Sequence, residues 1–160
     1  MDLVYIGKVV STHGIKGEIK IKSNFQFKEN VFKIGNSLII DKKEYIIKNY
    51  RVHKGFDMVL LDDFNDINQV LFLLHRNVFF DKGKLNLLPS QILDSDLISY
   101  QVLTTDGKKG IIKEIFYASP TNKIIRIFID KEYLVPVYSP IIKKIDKEKS
   151  VLIIELIEGM

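Results

Sequence analysis

Apolar and charged residues alternate along much of this chain. In Gly17-Glu18-Ile19-Lys20-Ile21-Lys22-Ser23 the isoleucines fall on one side and the charged residues on the other, the period-two signature of a strand with one buried face. Similar patterns over residues 4–11, 37–41, 44–53, 57–61 and 77–80 predict six short strands in the first half. His13-Gly14, Asp41-Lys42-Lys43 and Lys54-Gly55 supply turn signals between them. Six strands at this spacing predict a small antiparallel barrel, because closure removes exposed edges. One helix is predicted between the last two strands. There Ile67, Val70, Leu71 and Leu74 recur three and four residues apart behind a cap at Asp63 or Asn65. Its expected role is to plug one end of the barrel.

The pattern breaks around residues 82–92, where Gly83, Asn86, Pro89 and Ser90 predict a linker, with Leu85, Leu87 and Leu88 packing against something. A second set of strands is predicted over 100–104, 109–117, 123–129, 132–137 and 150–156. Asp106-Gly107 is a hairpin signal and Asp130-Lys131 a second tight turn. Pro136 and Pro140 bracket a loop rather than a central strand. The resulting expectation is an all-β chain of two small β domains, residues 1–84 and 93–160, joined by a linker over 85–92. A single sandwich of the whole chain is the alternative.

Composition narrows the function classes. With 46% hydrophobic and 28% charged residues the chain has enough apolar side chains for a core. The lack of cysteine excludes disulfides, thiolate metal sites and a cysteine nucleophile. Apolar runs such as Val70-Leu71-Phe72-Leu73-Leu74 are too short to span a bilayer as a helix. Met1-Asp2-Leu3-Val4 lacks the basic start of a signal peptide, so a cytoplasmic location is expected. Lysine, isoleucine and asparagine are abundant, while Ala118 is the sole alanine and Arg51, Arg76 and Arg126 the only arginines. That skew fits an AT-rich genome and cautions against reading every lysine as a contact. The net charge of +4 is uneven: residues 1–84 hold 14 Lys+Arg against 10 Asp+Glu, and residues 85–160 hold 10 of each. A mildly basic first half is compatible with RNA phosphates.

Catalytic motifs are missing. There is no phosphate loop, dinucleotide-binding glycine run, His-Glu-x-x-His or Gly-x-Ser-x-Gly. His13, His53 and His75 lack metal-ligand spacing, and Asp62, Asp63 and Asp66 sit where acidic residues cap a helix. The expectation is no enzyme, no cofactor and no metal. The segment Thr12-His13-Gly14-Ile15-Lys16-Gly17 reads as a tight turn shaped by Gly14 and Gly17. It either presents His13 and Lys16 to phosphate or a partner, or buries His13 as a structural hydrogen-bonding group. Lys8, Lys16, Lys20 and Lys22 are opposed only by Glu18, and a basic face on a small barrel can track RNA backbone. The candidate RNA or partner contacts are therefore Lys8, His13, Lys16, Lys20 and Lys22. Aromatic residues for base stacking are missing from that strand, so sequence-specific reading is not expected. A general RNA-binding or translation-factor-like barrel remains the competing reading.

The run from Ile6-Gly7-Lys8-Val9 through His13-Gly14-Ile15-Lys16-Gly17-Glu18 to Ile21 resembles the opening of the RimM family of bacterial ribosome maturation factors. The likeness continues through Arg51-Val52-His53-Lys54-Gly55, Asp96-Leu97-Ile98, Gly110, Ser119-Pro120-Thr121-Asn122, Leu134-Val135-Pro136 and Ile157-Glu158-Gly159. It implies an N-terminal six-stranded barrel of the translation-factor type and a C-terminal PRC-barrel. It also implies a non-enzymatic, monomeric factor, free of membranes, that binds immature small subunits and helps assemble the head. Such a factor promotes rRNA maturation, with a head ribosomal protein as partner and rRNA nearby. By the same resemblance Asp96, Leu97 and Pro136 are candidate ribosomal-protein contacts. The chain departs from the family at Leu93-Asp94-Ser95, where an aromatic pair associated with partner binding is usual, and at Ser99 and Val137. That contact is then weaker here or carried by other residues.

Overall fold

A computed structural model describes residues 1–160. The chain divides into two compact units, Met1–Leu88 and Pro89–Met160. No helix in either is long and apolar enough to cross a membrane.

The first unit contains β1 (Leu3–His13), β2 (Glu18–Lys22), helix α1 (Lys28–Val31), β3 (Ser37–Ile40), β4 (Lys43–His53), β5 (Phe56–Leu61) and β6 (Asn77–Asp81). The strands close into a barrel in the order β1-β2-β5-β4-β3-β6. Closure depends on β6, which pairs antiparallel with both β1 and β3. Alternation explains the wall: Ile19 and Ile21 are fully buried, while Lys20 and Lys22 of the same strand face outward. Register slips in β1 and β4 mark bulges, which bend strands long enough to wrap a small barrel. At Gly7 a Cβ would lie 2.3 Å from the Lys22 carbonyl oxygen, so only glycine lets β1 approach β2 this closely.

Two elements depart from the expected pattern. The single helix expected near Ile67 is instead two 3-10 turns, Ile67–Gln69 and Leu71–Leu73. Asp66, not Asp63 or Asn65, is the N-cap. Its carboxylate accepts from the Asn68 backbone N–H, and the Gln69 side chain accepts from the Asp66 N–H. The buried residues of this segment are Val70 and Leu73. Their three-residue spacing suits the 3.0-residue turn, in which i and i+3 eclipse. Leu71 and Phe72 remain exposed. Helix α1 had no strong periodic signal. Val31 and the adjacent Phe32 anchor it, and Phe32 stacks on Tyr50 with centroids 5.2 Å apart.

The second unit carries a short helix α2 (Asp94–Leu97), then β7 (Gln101–Thr104), β8 (Lys109–Ser119), β9 (Asn122–Phe128), β10 (Glu132–Pro136), β11 (Ile142–Asp146) and β12 (Val151–Ile154). They form a six-stranded sheet in the order β10-β9-β8-β7-β12-β11, with β12 parallel to β7. One apolar cluster draws on all six strands, from Val102 and Ile112 to Val135 and Leu152, with Ile142 and Ile145 packed against it. The sheet therefore curls round a single core, and the chain is all-β with a barrel followed by a barrel-like unit. Strand β11 was not expected from the pattern. Its sequence, Ile-Lys-Lys-Ile-Asp, is irregular because a register shift lies between Ile142 and Lys144. The division between the units falls inside the segment read as a linker. Leu85 is buried, and its carbonyl accepts from Asn30 of the first unit, whereas Leu93 is buried in the second.

Candidate nucleic-acid interface

The turn between β1 and β2 is built by two glycines with positive φ, Gly14 at 76° and Gly17 at 86°. A backbone hydrogen bond from the Gly17 N–H to the Gly14 carbonyl closes it. Gly17 has a second constraint: a Cβ there would lie 2.8 Å from the Asp66 carbonyl oxygen. The Ile67 N–H donates to the Ile15 carbonyl at 2.9 Å, so the turn is docked onto the capped segment that follows β5. Ile15 and Lys16 stand exposed at its tip.

The expected lysines lie on the outer wall beside this turn. Lys8 and Lys22 are direct cross-strand partners of β1 and β2, and both are exposed. Like charges placed opposite one another destabilise a strand pair, so this pairing concentrates positive charge at a local cost. Lys20 lies over the Phe56 ring, its Nζ 4.0 Å from the centroid, a cation–π contact that orients the ammonium group.

Strand β4 and the turn after it add residues that sequence reasoning did not nominate. Arg51 grips Glu18 with two hydrogen bonds, Nε to Oε2 at 3.0 Å and Nη2 to Oε1 at 2.7 Å. The hydrogen bonds from Arg51 hold the Glu18 carboxyl below its ordinary range against the opposing effect of burial. The charges of Arg51, His13 and His53 act in the same direction as those bonds. His13 is exposed rather than buried, which removes its reading as an interior structural group. Its ring packs against His53, centroids 5.6 Å apart and planes tilted by 46°. Partial burial pushes the His53 imidazole down, and Arg51, Lys54, His13 and Lys20 push the same way. One available signal was the alternation of Arg51 and His53 before Lys54-Gly55, which echoes His13 before Lys16-Gly17. What no local pattern states is that the two segments meet.

The candidates of the second unit are dispersed in depth. Asp96 is half-buried in α2, Pro136 is exposed at the end of β10, and Leu97 is 1% exposed in the core. Leu97 thus packs α2 onto the sheet and is out of reach of a partner. Exposed apolar side chains nearby in sequence include Leu134, and Tyr138 at 89% exposure. No group of three His, Asp or Glu side chains is placed to hold a metal ion.

Curated relatives match nearly the whole chain, and a family model matches its first half. The family model described as the RimM N-terminal domain matches residues 4–85. A "Ribosome maturation factor RimM" of Staphylococcus saprophyticus is 36% identical, covering 98% of both chains. A protein of the same name from Staphylococcus aureus is 32% identical with the same coverage. A crystal structure from Pseudomonas aeruginosa, titled as a 16S ribosomal RNA processing protein RimM, aligns over 99% of this chain and 100% of its own. It does so at 21% identity and a TM-score of 0.48. By its sequence relatives and the family model, this chain belongs to the RimM family of ribosome maturation factors.

Proposed function

We propose that the chain is a non-enzymatic accessory factor that assembles the head of the small ribosomal subunit and promotes maturation of small-subunit rRNA. In this reading it is a cytoplasmic monomer that needs no cofactor. The barrel face carrying Lys8, His13, Lys16, Lys20 and Lys22 contacts rRNA. The second unit, through the surface around Asp96 and Pro136, engages a ribosomal protein of the head, with Leu97 bracing that surface from beneath. The observation that carries the proposal is full-length membership of a maturation-factor family by a chain whose first unit gathers cations on one wall.

Cosedimentation tests it. Tagged full-length protein is expected to migrate with free small subunits and to release as salt rises. Neutralising phosphates with three or four lysines gives a log–log salt slope of about −3. Migration at the top of gradients prepared from cells rich in assembly intermediates overturns the proposal. The same cationic wall also suits a general RNA-binding barrel. That alternative predicts binding to naked rRNA as tight as to the protein-bearing particle, whereas an assembly factor prefers the particle.

A further inference from the structure

The rings of His13 and His53 contact each other and make no hydrogen bond within the protein. Both oxygens of the only carboxylate in the cluster, Glu18, are taken by Arg51. The remaining neighbours are cationic: Arg51 and Lys54 from β4 and its turn, and Lys20 from β2, beyond the β1–β2 turn. On the segment packed against that turn, the Asp66 carboxylate is engaged by the Asn68 N–H. The two imidazoles stand beside the cations Lys20, Arg51 and Lys54 and share one carboxylate, Glu18, that is already paired with Arg51, so the cluster is short of negative charge. An anion supplies it.

We propose that His13 and His53, with Lys20, Arg51 and Lys54, form a phosphate-binding site for the RNA backbone that takes up protons as it fills. The inference rests on the rRNA contact proposed above and extends it from β1–β2 to the β4–β5 hairpin. Ring centroids 5.6 Å apart allow one phosphate group to accept hydrogen bonds from both imidazoles, and such charge-assisted bonds are short and strong. Before binding, partial burial and the neighbouring cations disfavour the charged form of the His53 imidazole. After binding, the phosphate reverses the local field and favours imidazolium. Affinity therefore rises as pH falls. The lysines and Arg51 contribute an attraction for phosphate that does not depend on the histidines.

The test uses the full-length protein and a fluorescently labelled single-stranded RNA oligonucleotide at constant ionic strength. Uptake averaging about half a proton over this range predicts binding roughly tenfold tighter at about pH 6 than at about pH 8. The combined His13→Gln and His53→Gln variant is expected to keep less than about twofold of that dependence. Lys22→Gln is expected to weaken binding at both pH values and preserve the ratio. Histidine NMR on the unmodified protein gives a reading independent of how the variants fold: RNA should raise the titration midpoints of both rings. A flat pH dependence with RNA still bound, or midpoints unmoved by RNA, overturns this inference and leaves the parent reading intact. Absence of RNA binding at either pH removes both. Equal midpoint shifts from inorganic phosphate at matched phosphate concentration overturn the assignment to RNA.

Discussion

Replacing Asp57 by alanine removes a carboxylate that is 2% exposed inside the first unit. Its Oδ1 accepts from the Tyr50 hydroxyl at 2.6 Å. Its Oδ2 is paired with Lys28 Nζ at 2.9 Å. The group thereby ties α1 to the β4–β5 hairpin, alongside the Phe32–Tyr50 stack. Loss of the acceptor leaves the half-buried Tyr50 hydroxyl unpaired at a cost of about 1–3 kcal/mol. Breaking a fully buried ion pair costs about 3–5 kcal/mol. Lys28 is 33% exposed and can reach water, so its share is smaller. A total of about 3 kcal/mol follows from these contributions. For a unit of this size that is a fall in Tm of roughly 15 °C, measured for the first transition in calorimetry of the full chain. Tyr50 offers a second readout. Its phenol is pushed well above the ordinary tyrosine range by burial, by the hydrogen bond to Asp57 and by the Asp57 charge. Alanine removes the last two causes, so phenolate absorbance should develop at lower pH. A Tm change within about 3 °C, or a coupling below about 0.5 kcal/mol in a double-mutant cycle with Lys28→Met, refutes this account.

Other perturbations test the site and the second unit. Gly17→Ala combines a positive φ with a Cβ 2.8 Å from backbone and is expected to destabilise by about 2–3 kcal/mol in thermal melts. Gly14→Ala, with nothing within 4 Å of its Cβ, pays only the conformational cost of about 1 kcal/mol. Equal losses would argue against docking of the turn. Glu18→Gln should lower the stability of the barrel near neutral pH and flatten its dependence on acid. The lowered Glu18 carboxyl contributes stability present above its ordinary 4.5 and lost as pH falls through its folded value. The gap between parent and variant, followed by denaturant melts, should therefore close on acidification. Leu97→Ala deletes a core side chain and should cost about 2–5 kcal/mol. Loss of subunit binding in that variant must coincide with unfolding of the second unit by circular dichroism, since a folded protein that fails to bind would make Leu97 a contact.

The six strands of the barrel were legible as short apolar or alternating runs, most regular in Glu18–Lys22, that glycine or polar turns punctuate. The segment 66–73 misled because three- and four-residue spacings overlap within so short a run. The reciprocal bonds of Asp66 and Gln69, and burial of Val70 and Leu73 alone, chose 3-10 turns. Strand β11 was hidden by a bulge that breaks the period. At the site, the lysines of β1 and β2 were legible as an outward face, and Gly14 and Gly17 as a turn. The family itself was readable from His13-Gly14-Ile15-Lys16-Gly17-Glu18 and the motifs that follow it in order.

From the sequence alone, then, came the facing of the alternating strands such as β2, the position of the tight turns, the absence of cysteine chemistry and the family resemblance. These depend on properties of neighbouring residues: side-chain alternation, conformational freedom at glycine, composition and motif order. Only the tertiary structure decided that Lys8 opposes Lys22, that Arg51 clasps Glu18 across 33 positions of sequence, and that His13 meets His53. Those pairings are set by strand order and register round a closed barrel. A shift of one residue would turn every side chain of a strand to its other face.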